Sequence, residues 1–195
     1  MFNSSEELVV LKKIGVQCRL RRAPRVIEVN WHSPLYGCIK MNTDGAWKSS
    51  SNKAGYGGVF RDYSGKVMGA FCSNLDIPSS VAAEVMAVIK TIELAWVREW
   101  KHIWLEVDSA LVLSFLRSPT LVPWQLSVEW SNCLYQISQM NFHSSHIFRE
   151  CNKVADALTN EGIKSSCLTW WDLPPHFVIS FCNNNWLGFP TFRFC

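Results

Sequence analysis

The chain predicts a single α/β domain built on a mixed five-stranded sheet, and three observations carry that expectation. Three extended runs follow one another through short links, as in an antiparallel meander. A long amphipathic helical pattern comes next, long enough to cross back over the sheet and lay the fourth strand parallel to the first. The 195 residues are 48% hydrophobic and include ten tryptophans, enough for one buried core.

The first strand is expected over residues 38–44, ending at Asp44. A polar stretch, 48–53, then turns the chain. The second strand covers 57–61 and leads through Asp62-Tyr63-Ser64-Gly65, a hairpin turn signal, into the third at 66–73. Pro78-Ser79-Ser80 opens the crossover helix, in which Val81, Val85, Val88, Ile92 and Ala95 recur at helical spacing while Lys90 and Glu93 face away. The fourth strand is 102–107. Ser109 caps a short helix that ends near Arg117, and Pro119 and Pro123 break the chain before a longer helix over 124–139. A fifth strand covers 142–148, and Asn152 stands where a cap belongs for a last helix, 153–163. Residues 1–30 read as a flexible basic tail, 31–165 as the domain, and 166–195, rich in Trp, Pro and Asn, as an irregular tail packed partly on it.

Four carboxylates stand in settings that folding alone does not require. Asp44 ends the first expected strand and Asp108 follows the fourth. With those strands parallel neighbours, both acids leave the same edge of the sheet, where ligands of open sheets bind. Glu84 lies roughly 60° from the centre of the crossover helix's apolar stripe, nearer the buried side than an ordinary surface glutamate. Asp156 lies in the first turns of the last helix. Acids so placed cost desolvation energy unless something positive meets them, and a pair of divalent cations is the natural partner.

Bulk properties narrow the alternatives. The net charge of +3 is unevenly spread. Residues 1–30 hold Lys12, Lys13, Arg19, Arg21, Arg22 and Arg25 against Glu6, Glu7 and Glu28, whereas the two signs balance from Trp31 to Lys164. The domain therefore offers no large electrostatic grip on nucleic acid. The cluster at 19–25 reads as a solvated tail or as an aid to binding or targeting. No apolar run reaches the length of a membrane span. Residues 1–17 lack the apolar stretch and cleavage site of a secretory signal, so cytoplasm or nucleus is expected. Cysteines at 18, 38, 72, 133, 151, 167, 182 and 195 form no C-x-x-C pair, which favours free thiols over disulfides. His143, His146 and Cys151 have the residue types of a zinc set, but both histidines fall in an expected strand.

Residues 40–46, Lys-Met-Asn-Thr-Asp-Gly-Ala, then 55–62, Gly-Tyr-Gly-Gly-Val-Phe-Arg-Asp, with Gly65, resemble the opening of a type-1 ribonuclease H domain. Ala82-Ala83-Glu84, Val107-Asp108-Ser109 and the run from His146 to Leu158 match the family's later motifs in order. The wording is nearest the plant, retrotransposon-derived, reverse-transcriptase-like branch, and the resemblance spans about residues 31–163. It implies a mixed five-stranded sheet with helices on both faces, and hydrolysis of the RNA strand of RNA–DNA hybrids. It makes Asp44, Glu84, Asp108 and Asp156 the catalytic acids that hold two Mg2+ ions about 4 Å apart, with Asp44 bridging them and Mn2+ able to substitute. Hard oxygen donors suit magnesium better than zinc. Hybrid shape and the 2′-hydroxyl would set substrate choice.

Gly45, Asn52 and Arg149 are the candidate nucleic-acid contacts. Backbone around Gly45, and around Gly55, can approach a duplex closely because no side chain intervenes. Asn52 reaches a base edge or sugar, or only makes a turn. Arg149 meets a phosphate, or only packs or pairs at the surface. Trp47 stacks near the substrate or is simply part-buried. The expected state is a monomer whose partner is nucleic acid and not a membrane.

The chain departs from the family in two places. The shuttle histidine of well-studied members has only His146 as a counterpart, and His146 falls in the expected fifth strand. The basic handle after the fourth strand is missing, since Arg117 is the only Lys or Arg between Asp108 and Phe148. Hybrid binding is therefore expected to be weak and salt-sensitive. The rival reading is a domain that keeps the fold, binds nucleic acid or a partner, and cuts poorly or not at all. A 3′ exonuclease would want an Asp-x-Glu pair where Asp44-Gly45-Ala46 stands, and an integrase a late glutamate at a spacing that neither Glu129 nor Glu150 meets. A hydrolase's nucleophile elbow is absent.

Overall fold

The computed structural model describes residues 5–16 and 24–194. In chain order its elements are α1 (Ser5–Lys13), β1 (Val26–Val29), β2 (Ile39–Lys48), β3 (Lys53–Arg61), β4 (Val67–Leu75), α2 (Ser80–Val97), β5 (His102–Val107), α3 (Ala110–Arg117), α4 (Ser127–Ser138), β6 (Asn141–His146), α5 (Lys153–Gly162), β7 (Thr169–Trp171), α6 (Ile179–Trp186) and β8 (Thr191–Phe194). The chain divides into two compact units, residues 1–27 with 193–195, and residues 28–192. In the first unit the stretch read as a flexible tail contains α1, whose last turn places Lys12 and Lys13 beside the carbonyl end of the helix. Of the basic cluster at 19–25, all but Arg25 lies outside the described residues.

In the second unit six strands form one sheet in the order β6-β5-β2-β3-β4-β7. The expected meander is there, with β2 and β3 registered from Lys40↔Arg61 to Lys48↔Lys53. The turn between β3 and β4 is closed by Gly65 N–H donating to the Asp62 carbonyl (2.9 Å), while the Asp62 side chain accepts from the Ser64 and Lys66 amides. After the crossover helix, β5 lies parallel to β2 from Ile39↔Ile103 to Thr43↔Val107, and β6 continues parallel to β5. Ser79 and Ser109 cap α2 and α3, accepting from the amides of Ala82 and Val112. One face of the sheet packs Met41, Phe60, Phe71 and Leu105 against Val85, Val88 and Ile92 of α2 and Trp130 of α4. The other packs Val59, Ala70 and Cys72 against Leu158 of α5 and Cys182 of α6. Helices therefore cover both faces.

Two features differ from the expectation. First, the sheet has six strands, because residues 166–195 are not irregular: β7 pairs antiparallel with β4 from Ala70↔Trp171 to Cys72↔Thr169, and α6 follows. The cause is local. The Trp170 ring lies over Gly69, where an added Cβ would come within 2.1 Å of it, and the Arg98 guanidinium stacks on the same ring at 3.5 Å. Second, β2 does not end at Asp44 but runs on to Lys48. What ends there is the parallel partner: Asp44 still faces Gly57 on β3, while the last registered pair with β5 is Thr43↔Val107. Among the described residues six cysteines are free, as expected, and no helix is long and apolar enough to cross a membrane.

Candidate active site

The site begins with a contact that only glycine permits. A Cβ on Gly45 would stand 2.2 Å from the Ala83 carbonyl carbon and from the Glu84 amide nitrogen. The backbone of α2 therefore rests directly on β2, and this brings Glu84 beside Asp44. Asp108 is the first residue after β5, just before the cap of α3. One carboxylate oxygen from each of Asp44, Glu84 and Asp108 lies within 4.8 Å of the others. The three acids open into a cleft of ≈ 410 Å³, also lined by Trp47, Ser80, Ser109 and Arg149.

Electrostatics show how much positive charge this trio lacks. Burial, and then the charges of Asp108 and Asp156, push the Asp44 carboxyl up to about 7. Burial, and then Asp44 and Asp108, push Glu84 up to about 9. Burial raises Asp108 as well, and Arg149 draws all three back down. Oδ2 of Asp44 and Oδ1 of Asp108 are buried and receive no donor. A donor set made only of carboxylate oxygens, with two acceptors orphaned, fits a hard divalent cation.

Helix α5 is fastened to the strand that carries Asp44. Asn152 Nδ2 donates to the Thr43 carbonyl at 2.9 Å, and Thr159 Oγ1 donates to the Asp44 carbonyl at 2.7 Å, both buried. Asp156 sits between these clamps on the same helix face, at the i+4 position from Asn152. It is nevertheless not part of the close trio. Its Oδ1 lies 3.7 Å from Arg149 Nη2, at the rim. The structure thus brings three of the four expected acids together and sets the fourth beside them. Asn152 holds the cap position, but its side chain makes no cap bond and goes to β2 instead. Sequence reasoning missed that role and missed Thr159 entirely; the available signal was the i, i+4, i+7 spacing of Asn152, Asp156 and Thr159.

The remaining candidates separate. Gly45 lines the cleft, but its missing side chain is already accounted for by α2, as that of Gly55 is by α5, where a Cβ would lie 2.4 Å from the Ile163 nitrogen. Asn52 closes the β2–β3 turn in the left-handed conformation, φ 50°, and lines a different cavity with Lys53, Asn74 and Ser165. Arg149 and Trp47 line the acid cleft, Trp47 being 38% exposed. His146 ends β6, exposed, with Nε2 3.2 Å from the Asp108 carbonyl oxygen. The zinc-like residues do not converge: His143 packs on Trp104, and the Cys151 thiol meets Thr191.

Comparison with known proteins finds relatives in both sequence and shape. Residues 42–162 match the model of the family described as reverse transcriptase-like. An Arabidopsis thaliana protein named "Putative ribonuclease H protein" is 32% identical over 169 residues, which is 85% of this chain. The chain spans 27% of that relative's length. Among solved structures, RNase H1 from the archaeon Halobacterium salinarum aligns with a TM-score of 0.56 at 23% identity, over 65% of this chain and 98% of that one. LC11-RNase H1, solved in complex with an RNA/DNA hybrid, gives 0.56 at 24% identity, over 65% and 96%. The prototype foamy virus protease-reverse transcriptase gives 0.53 at 16% identity, over 75% and 22%. With one family model covering more than half its length and a ribonuclease H fold beneath it, the chain belongs to the reverse transcriptase-like family.

Proposed function

We propose that the chain is a metal-dependent endonuclease that hydrolyses the RNA strand of RNA–DNA hybrids. The observation that carries this reading is the trio of Asp44, Glu84 and Asp108, whose oxygens approach within 4.8 Å while two of them, buried, have no donor. The names of the relatives, and the hybrid in one structural neighbour, supply the substrate class. Magnesium ions, when bound, supply the positive charge these acids lack and the activation of water for attack on a phosphodiester. Asp44, Glu84 and Asp108 are the residues that would hold them, with Asp156 at the rim. Arg149 faces the same cleft on an exposed side chain, 3.7 Å from Asp156 Oδ1, and so is placed to meet a phosphate. Trp47 offers a flat apolar surface at the mouth. Asn152 and Thr159 hold the backbone of β2 still beneath the acids.

A binding-only role is favoured by one observation, the placement of Asp156 against Arg149 rather than within the trio. Titrating Mg2+ while following cleavage of a labelled hybrid, beside the Asp44→Asn protein, decides between the two. We expect Mg2+-dependent cleavage that falls to background in Asp44→Asn, and a metal-free Tm raised by ~3 °C once the buried acid is gone. An Asp44→Asn protein that cuts like the wild type would refute the assignment. A wild type that binds hybrid without cutting it in either Mg2+ or Mn2+ would establish the rival.

A further inference from the structure

Beneath the acids lies a buried polar cluster that the proposed chemistry does not use. Lys40 and Asn42 are fully buried on β2, Arg61 is 1% exposed on β3, and Glu106 is 7% exposed on β5. Lys40 Nζ lies 2.9 Å from Glu106 Oε2, donates to the His32 carbonyl, and sits 3.8 Å from the centre of the Trp104 ring. Asn42 is the hub. Its Nδ2 donates to Glu106 Oε2 at 3.1 Å, and its Oδ1 accepts from Arg61 Nη2 at 2.6 Å and from Trp31 Nε1 at 3.1 Å. Trp31 lids the cluster, its ring 3.9 Å from the Arg61 guanidinium.

Stability alone is a poor reason for this arrangement. A buried ion pair loses in desolvation much of what it gains in attraction, and well-packed apolar residues of the same volume are often as stable. What the cluster supplies is direction. Asn42 and Glu106 are a registered pair across β2 and β5, and each stands two residues before an acid of the trio, Asp44 and Asp108. Asn42 and Asp44, two apart within β2, share a face, and Asp108 follows directly on the end of β5. The registered ladder stops at Thr43↔Val107, so Asp44 and Asp108 lie just past the last backbone pairing between their strands. On that face the Asn42–Glu106 bond is therefore the side-chain tie directly beneath the two acids.

We propose that Asn42 and Glu106 are positioning residues that set the spacing of Asp44 and Asp108, and so fit the centre to a small cation with strict geometry. This rests on the reading of the trio as metal-holding. Mg2+ demands near-ideal octahedral coordination at short distances, whereas Ca2+ tolerates longer and irregular sets. Loosening the two strands therefore weakens Mg2+ more than Ca2+, a change of selectivity that a general loss of stability does not produce.

The test compares two double variants of the full chain by calorimetric titration with Mg2+ and with Ca2+. Lys40→Met/Glu106→Gln removes both charges but keeps an acceptor for Asn42. Lys40→Met/Glu106→Leu removes the acceptor too. The Gln protein is expected to bind both ions within about twofold of wild type, and the Leu protein to lose roughly tenfold for Mg2+ but no more than about threefold for Ca2+. A Leu protein that binds Mg2+ as the Gln protein does overturns the proposal, and so do equal losses in both proteins or for both ions. Where circular dichroism shows the Leu protein unfolded, Trp31→Phe, which removes only one donor to Asn42, carries the test. About threefold weaker Mg2+ binding with Ca2+ unchanged is then expected, and unchanged Mg2+ binding overturns the proposal. A wild type that binds neither ion overturns the metal reading itself, and the positioning role with it.

Discussion

At Gly45 the strand and the crossover helix touch backbone to backbone, and Glu84 owes its place beside Asp44 to that contact. A methyl group there would lie 2.2 Å from two atoms of α2, so the helix would have to retreat by more than an ångström, carrying Glu84 with it. Overpacking of this kind costs about 1–3 kcal/mol, and more where backbone must move. Gly45→Ala is therefore expected to lower stability by ~3 kcal/mol in urea unfolding and to abolish measurable Mg2+ binding. Normal stability and normal binding in that variant would mean that Glu84 is not held in place by this contact. The same glycine illustrates how residue identity and residue role come apart. Its place in the motif suggested close approach by a ligand, whereas its missing side chain is taken up by a helix.

Among the elements, α5 is the one whose attachment matters most to the site. Thr159 donates to the Asp44 carbonyl and Asn152 to that of Thr43, so the helix that carries Asp156 is bonded to the backbone that carries Asp44. Thr159→Val keeps the shape and removes a buried donor to the Asp44 carbonyl. We expect a cost of about 1–3 kcal/mol, with Thr159→Ser close to wild type, in matched thermal unfolding. Equal stability of the Val and Ser proteins would count against the clamp. Most of the elements were legible in the sequence because their signal is periodic. The apolar spacing of α2, the Ser79 and Ser109 caps and the limits of β5 all follow from local pattern. The trio was legible as well, since acids at one sheet edge and on one helix flank are local features that a topology brings together. What was not legible depends on contacts distant in sequence. β2 runs past Asp44 because β3 pairs with it there, β7 forms because Trp170 finds the space over Gly69, and Asn152 leaves its cap because the Thr43 carbonyl lies within reach. Asp156 had the right motif, but its carboxylate is drawn toward Arg149, a tie that spacing alone does not reveal.

For the whole molecule, the acids couple folding to pH. The folded carboxyls of Asp44, at about 7, and Glu84, at about 9, hold protons more tightly than the same groups in the unfolded chain. Unfolded carboxyls titrate near pH ~4, so the stability these two contribute is complete below that value and is lost as pH rises through 7 and on toward 9. In chelator, the Tm is expected to fall by ~5–10 °C between about pH 5.5 and 9, and Mg2+ is expected to restore most of it at the upper end. A flat Tm in chelator across that range would show that the two acids are not desolvated together in solution.

The three residues of β7 have a practical consequence for anyone handling this protein. They shield the outer row of amide and carbonyl groups on β4, and Trp170 fills the hollow over Gly69. A version cut back to the stretch that the family shares, 42–162, would bare both at once. Bare strand borders recruit other strands, neighbouring molecules of the same protein included. Silence from such a shortened protein would not separate clumping, or the loss of Trp31 and Lys40, from a failure of its acids to cut.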